Sequence, residues 1–157
     1  MPKIAVGDKA PEFSLPSQSN EVVHLSDFVG KKNVVLYFYP KDFTPGCTAE
    51  AKGFRDSYQE FSDGETEVIG VSSDTVESHS RFSQECSLPF KLLSDSGKHL
   101  RELYGVSSTL GLAGRVTFVI DKQGTVRLVY SSQLRPTKHI KEALEALKTA
   151  KESPKTT

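Results

Sequence analysis

The stretch NVVLYFYPKDFTPGCTAEAKGF, residues 33–54, carries a strand signal that runs directly into a helix signal. Its first seven residues, NVVLYFY, are a continuous apolar and β-branched run. Such a run suits a strand buried on both faces of a sheet. Pro40 stops it. Thr44-Pro45 then reads as a helix start, with Thr44 at the N-cap and Pro45 as the first helical residue. Behind it Ala51, Phe54, Tyr58 and Phe61 fall on one helical face, and Asp63-Gly64 ends that helix. A buried strand feeding a helix is the elementary unit of an α/β protein.

The pattern repeats on either side. Upstream, residues 1–32 are rich in turn formers, with EVVHL (21–25) as a short strand. Downstream, TEVIGVS (66–72) is a second buried strand. Thr75 to Glu85 is polar and helix-compatible, with Val76 and Phe82 as core contacts, and Leu88-Pro89 breaks it. FKLLSD (90–95) contains a short strand, and Lys98 to Tyr104 a short helix. VTFVID (116–121) and TVRLVY (125–130) flank Lys122-Gln123-Gly124 and read as a hairpin. Thr137 opens a last helix, in which Ile140, Ala143, Leu144 and Leu147 follow helical spacing. The order strand–helix–strand–helix–strand–helix–hairpin–helix predicts an α/β fold with helices on both faces of a central mixed β-sheet. That order is compatible with a thioredoxin-like architecture. Absence of repeats or linkers predicts one domain over residues 1–150, with a polar, flexible tail at 151–157.

Composition narrows the function. The chain has 157 residues, enough to bury a core without disulfide staples. Its 20 basic and 20 acidic residues balance, so it lacks the electrostatic footprint of a nucleic-acid binder. No window approaches the length of apolar sequence that crosses a membrane. The opening residues MPKIAVGDKAPEF do not read as a signal peptide. The expected location is cytoplasmic, or an organelle interior if a transit peptide has been removed. The four histidines, His24, His79, His99 and His139, show no short ligand spacing, so they read as surface or packing residues and no metal is expected.

The two cysteines, Cys47 and Cys86, are read as redox-active rather than structural. Cys47 stands in the first turn of the predicted helix, where N–H groups lack intrahelical partners and the helix dipole favours negative charge. Such surroundings lower a thiol pKa from ~8.5 into the range ~3.5–7.5 and create the nucleophilic thiolate. The Thr44 hydroxyl can point at the same spot. Gly46 removes a side chain that would crowd the approach, and Pro40, lacking an N–H, can shield the thiolate from water. Read alone, Cys47 fits a buried inert thiol equally well, and no reaction is named by this geometry.

A resemblance names one. PKDFTPGCTAE resembles the peroxiredoxin pattern P-x-x-x-T-x-x-C, matched by Pro40, Thr44 and Cys47. The flanking sequence is similar to the Q-type branch, also called bacterioferritin comigratory protein. Similarity continues through VGDKAPEFSLPSQ (6–18), EVIGVSSD (67–74), LPFKLLSD (88–95) and GRVTFVIDKQG (114–124). The resemblance implies a thiol peroxidase with a thioredoxin-like fold and no bound cofactor. In it Cys47 is the peroxidatic cysteine, which attacks a hydroperoxide and becomes a sulfenic acid. Thr44 hydrogen-bonds the peroxide oxygens. Arg115 matches the family arginine, whose charge favours the thiolate and the leaving oxygen. Glu50, one turn after Cys47, orients that arginine or is simply an exposed helix carboxylate.

One position departs from the pattern. Many Q-type members carry a resolving cysteine five residues after the peroxidatic one, where this chain has Lys52. A subset of the branch instead carries it on the later helix, where Cys86 lies. The resemblance thus implies an intramolecular Cys47–Cys86 disulfide, local unwinding of both helices to form it, and recycling by thioredoxin or a similar dithiol protein. It also implies a monomer. The alternatives are a one-cysteine peroxidase resolved by an external thiol, and a non-catalytic thioredoxin-like binding module or holdase. A glutathione-peroxidase-like site would use a tryptophan, and the chain has none. A thioredoxin-type reductase needs C-x-x-C, which Thr48-Ala49-Glu50 rules out.

Overall fold

The computed structural model describes residues 4–106, 108–109, 112–132 and 134–152. A short antiparallel hairpin, β1 (Ser14–Pro16) and β2 (Val22–His24), leads through a 3-10 turn to β3 (Asn33–Phe38). There follow α1 (Pro45–Asp56), α2 (Tyr58–Asp63), β4 (Thr66–Ser72), α3 (Val76–Cys86), β5 (Lys91–Ser94) and α4 (His99–Leu103). A two-residue ribbon, β6 (Ser108–Thr109) with β7 (Leu112–Ala113), precedes the hairpin β8 (Val116–Ile120) and β9 (Val126–Ser131). The chain closes on α5 (Lys138–Glu152).

Five strands form the central sheet in the order β5-β4-β3-β8-β9. β3, β4 and β5 run parallel, while β8 is antiparallel to both β3 and β9, so the sheet is mixed as expected. Alternation along β3 splits the core in two. Val34, Leu36 and Phe38 face Val23, Leu25, Leu100 and Tyr104, from the N-terminal hairpin region and α4. Val35 and Tyr37 face Ala51, Phe54, Phe61, Phe82 and Ala143, from α1, α2, α3 and α5. The apolar run at 33–39 is therefore continuous because both faces of β3 are covered.

Two expectations change. The helix expected to run to Asp63 breaks at Ser57, whose backbone leaves helical values (φ −101°, ψ 6°). The break keeps Phe61 buried against Phe54 but turns Tyr58 to the margin, where its hydroxyl donates to Glu67 Oε1 at 2.8 Å. Tertiary packing here overrides a helical period that would have continued. At the other end, α5 extends to Glu152, and residues 153–157 of the expected tail lie outside the described residues.

The topology positions the site. Parallel β3 and β4 leave the sheet at the same edge, where ligands bind in open α/β sheets. β8 runs the opposite way, with Val116 paired to Phe38. Arg115, just before β8, therefore arrives beside the loop that follows β3. No helix among the described residues is long and apolar enough to cross a membrane.

Candidate active site

Cys47 is the third residue of α1, and only 1% of its surface is exposed. The first helical bond runs from Thr48 N–H to Thr44 O at 2.8 Å, so the earlier N–H groups have no acceptor within the helix. Thr44 occupies the N-cap position with extended backbone, and Pro45 follows at the first helical position. The Thr44 hydroxyl does not cap the helix; it donates to Lys41 O at 2.9 Å. With its hydrogen committed there, Thr44 Oγ1 offers lone pairs to an incoming O–H donor. The preceding residue, Phe43, holds a left-handed backbone (φ 70°) that is uncommon outside glycine.

Arg115 and Glu50 meet beside Cys47. Both are buried, and Arg115 Nη1 donates to Glu50 Oε1 at 2.5 Å. Burial opposes the charge on Arg115, but Glu50 and Cys47, by charge and hydrogen bonding, hold its pKa above the usual value. Burial pushes the Glu50 carboxyl up to about 8 against the pull of Arg115. Arg115 is thus no surface charge, and Glu50 is not the exposed helix carboxylate that its position also allowed. A Cβ on Gly46 would stand 3.0 Å from Arg115 Nη2, so the absent side chain makes room for the guanidinium.

Sequence reasoning missed two further charged groups here. Arg101 is buried and donates to Tyr39 O at 3.1 Å and Gly114 O at 3.2 Å, tying the residue before Pro40 to the residue before Arg115. Its charge also acts on Cys47, while burial lowers its pKa. Asp42 is buried in the Pro40–Thr44 loop and accepts from Tyr39 OH (2.6 Å), Ser78 Oγ (2.8 Å) and His79 Nδ1 (2.7 Å). Its own N–H donates to Asp74 Oδ2 at 2.8 Å. These bonds clasp the loop to α3. Asp42, Asp74 and His79 are also spaced like metal ligands. Both Asp42 oxygens, Asp74 Oδ2 and both His79 ring nitrogens are already hydrogen-bonded, to one another or to Ser72, Ser78, Tyr39 and Leu93 O. The arrangement is a hydrogen-bonded clasp.

Cys86 is the last residue of α3, followed by Ser87 in a left-handed conformation (φ 53°). It is a free, buried thiol in the same core cluster as Cys47. Burial raises its pKa, partly offset by Lys52 and Arg55 of α1. Arg55 Nη1 donates to Cys86 O at 2.8 Å and pins this helix end against α1. A cleft of about 490 Å³ lies far from this chemistry, lined by Asn33, Gly64, Asp121 and Lys122 at the opposite end of β3 and β8. It holds none of the residues above.

Comparison with known proteins agrees with this geometry. Residues 6–129 match the AhpC/TSA family. The chain belongs to that family. It is 49% identical over 151 residues to chloroplastic Peroxiredoxin Q of Sedum lineare, covering 95% of this chain and 81% of that one. It is 50% identical to the Suaeda salsa Peroxiredoxin Q over 147 residues, covering 92% and 68%. Among solved structures, the peroxidoxin BcpB from Mycobacterium tuberculosis superposes with a TM-score of 0.87 at 36% identity, covering 93% and 97%. A PrxQ mutant from Xylella fastidiosa gives 0.88 at 30% identity, covering 95% and 98%. The similarity is thus to the Q branch of the peroxiredoxins, with their thioredoxin fold, and a thiol peroxidase is what the family supports. Of the residues singled out from the peroxiredoxin pattern, Pro40, Thr44, Cys47, Glu50 and Arg115 converge on one sheet edge. Cys86 reaches the same core cluster from a different helix.

Proposed function

We propose that the chain reduces hydroperoxides through Cys47, forms a Cys47–Cys86 disulfide, and is recycled by thioredoxin or a similar dithiol protein. One observation carries the reading: the Cys47 sulfur lies at a helix N-terminus with Arg115 held against it by a buried Glu50. The thiolate attacks one peroxide oxygen; the S–O bond forms as O–O breaks, and sulfur gives up two electrons. The departing oxygen leaves as water or an alcohol after taking a proton, and Arg115 stabilises its charge meanwhile. Thr44 Oγ1 accepts from the peroxide O–H, and Pro40, without an N–H, walls the thiolate from water.

The Cys86 thiol then attacks the sulfenic acid, forming the disulfide and releasing water. Three features support Cys86: it shares a core cluster with Cys47, the cationic side chains of Lys52 and Arg55 act on it, and α3 ends at it. Bridging two buried thiols held on separate helices calls for local unwinding of α1 around Cys47 and of α3 around Cys86, with release of the Arg55 bond. Cysteine carries the whole redox change, so no cofactor enters the cycle. The chloroplastic Q-type relatives fit the organelle-interior reading of location, and a monomer remains the expected form.

A coupled assay with thioredoxin, its reductase and NADPH tests this. Cys47→Ser should abolish peroxide-dependent NADPH oxidation. Cys86→Ser should lose thioredoxin-supported turnover yet consume one equivalent of peroxide. Full turnover in Cys86→Ser would assign a one-cysteine cycle, and full turnover in Cys47→Ser would remove the peroxidase reading.

A further inference from the structure

Behind Arg115 lies a buried histidine that the peroxidase cycle does not use. His139, near the start of α5, is wholly buried. Its Nε2 lies 2.8 Å from Ser132 O, a carbonyl that can only accept, so Nε2 carries the hydrogen. Burial drives the ring's pKa down to about 4, partly opposed by that bond, so the ring is neutral at physiological pH. Nδ1 is then an acceptor, and the Thr117 hydroxyl, 2.7 Å away, donates to it. Glu50 Oε2 lies 3.7 Å from the same Nδ1, outside hydrogen-bond reach, and is a buried oxygen with no hydrogen-bond partner among the described residues. Ser132, which fixes the tautomer, also donates its N–H to Arg115 O at 3.3 Å.

We propose that His139 is a positioning residue for the Arg115–Glu50 pair: its acceptor nitrogen faces Glu50 Oε2 and favours the protonated carboxyl, which leaves the charge of Arg115 to act on Cys47. This rests on the roles given above to Cys47 and Arg115. The ionisable groups around Glu50 are Arg115 from just before β8, Cys47 from its own helix, Tyr37 from β3 and His139 from α5. Only Arg115 brings a positive charge, and it bonds Oε1. At Oε2 a carboxylate would set lone pair against lone pair in a desolvated corner. A neutral carboxyl relieves that repulsion, although the Nδ1 lone pair itself stays with the Thr117 hydroxyl. With Glu50 neutral, the guanidinium is no longer compensated from behind.

The test compares wild type, Thr117→Val and His139→Gln by the pH dependence of Cys47 alkylation with iodoacetamide and by the second-order rate constant with hydrogen peroxide. Thr117→Val frees Nδ1 from its hydroxyl donor and should move the alkylation midpoint to lower pH. His139→Gln can turn an amide N–H toward Oε2, favour the carboxylate, and move the midpoint to higher pH by about one unit, with a matching fall in peroxide rate. In a Glu50→Gln background neither substitution should move it. A purely structural role would slow both variants alike without opposite shifts, and that result overturns the proposal. If His139→Gln fails to fold, Thr117→Val alone decides by the direction of its shift. Unreactive Cys47 in the wild type would instead overturn the active-site reading itself.

Discussion

Gly46→Ala should separate catalysis from stability at a single methyl group. An added Cβ would lie 3.0 Å from Arg115 Nη2 and 3.8 Å from Pro136 Cγ. Ordinary carbon contacts begin near ~3.5 Å, so the guanidinium must retreat by about half an ångström. It cannot retreat by closing on Glu50, because Nη1 and Oε1 are already 2.5 Å apart. Any retreat therefore changes where the guanidinium stands relative to Cys47. A misplacement of ~1 Å near reacting groups costs about a hundredfold in rate, so half of that corresponds to roughly tenfold. Stability should change little, because alanine gains up to ~1 kcal/mol over glycine in a helix and the strained contact offsets it. Stopped-flow reaction with hydrogen peroxide gives the rate, and thermal unfolding the stability. A variant as fast as wild type would refute the argument that Gly46 exists to seat Arg115.

Other substitutions probe the packing around the site. Gly53→Ala places a Cβ 2.8 Å from Ile140 Cδ1, between α1 and α5. It should cost about 1–2 kcal/mol in urea unfolding with the peroxide rate kept. Tyr37→Phe removes a buried hydroxyl with no partner among the described residues and should raise stability by about 1 kcal/mol; a loss of stability would reveal a bond to that hydroxyl. The buried titratable groups predict a pH dependence of opposite signs. His139 has its folded pKa lowered from 6.5 to about 4, so its contribution is full above 6.5 and is lost as pH falls toward 4. Glu50, raised from 4.5 to about 8, contributes most below 4.5 and loses that contribution as pH rises toward 8. Glu50→Gln should therefore unmask an acid-side loss of about 3 kcal/mol from His139, seen in urea titrations at pH 7 and 4. An equally flat profile in the variant and wild type would contradict this.

The parts of the fold legible in sequence were those governed by local pattern. The apolar run at 33–39, the Thr44-Pro45 helix start and the Gly-containing hairpin turn at 122–124 each carry their own signal, and each element stands where expected. Cys47 was legible because a helix start is local chemistry. Arg115 was visible only through resemblance, since the antiparallel register that brings it to Cys47 is a property of the sheet. Asp42, Arg101 and His139 were not visible as site residues. Asp42 in Lys41-Asp42-Phe43 reads as a solvated turn, and its burial depends on Ser78 and His79, more than thirty residues away. Arg101 looks like an exposed helix cation until its bond to Tyr39 O is known. The break at Ser57 has no sequence signal, because Ala51, Phe54, Tyr58 and Phe61 keep helical spacing through it.

Intact mass after one equivalent of hydrogen peroxide reads out whether Cys47 begins a two-cysteine cycle. Wild type should lose two hydrogens and yield a Cys47–Cys86 peptide on digestion, while Cys86→Ser should hold one added oxygen on Cys47. Wild type that gained oxygen without a bridge, or that left Cys47 unreacted, would contradict the account.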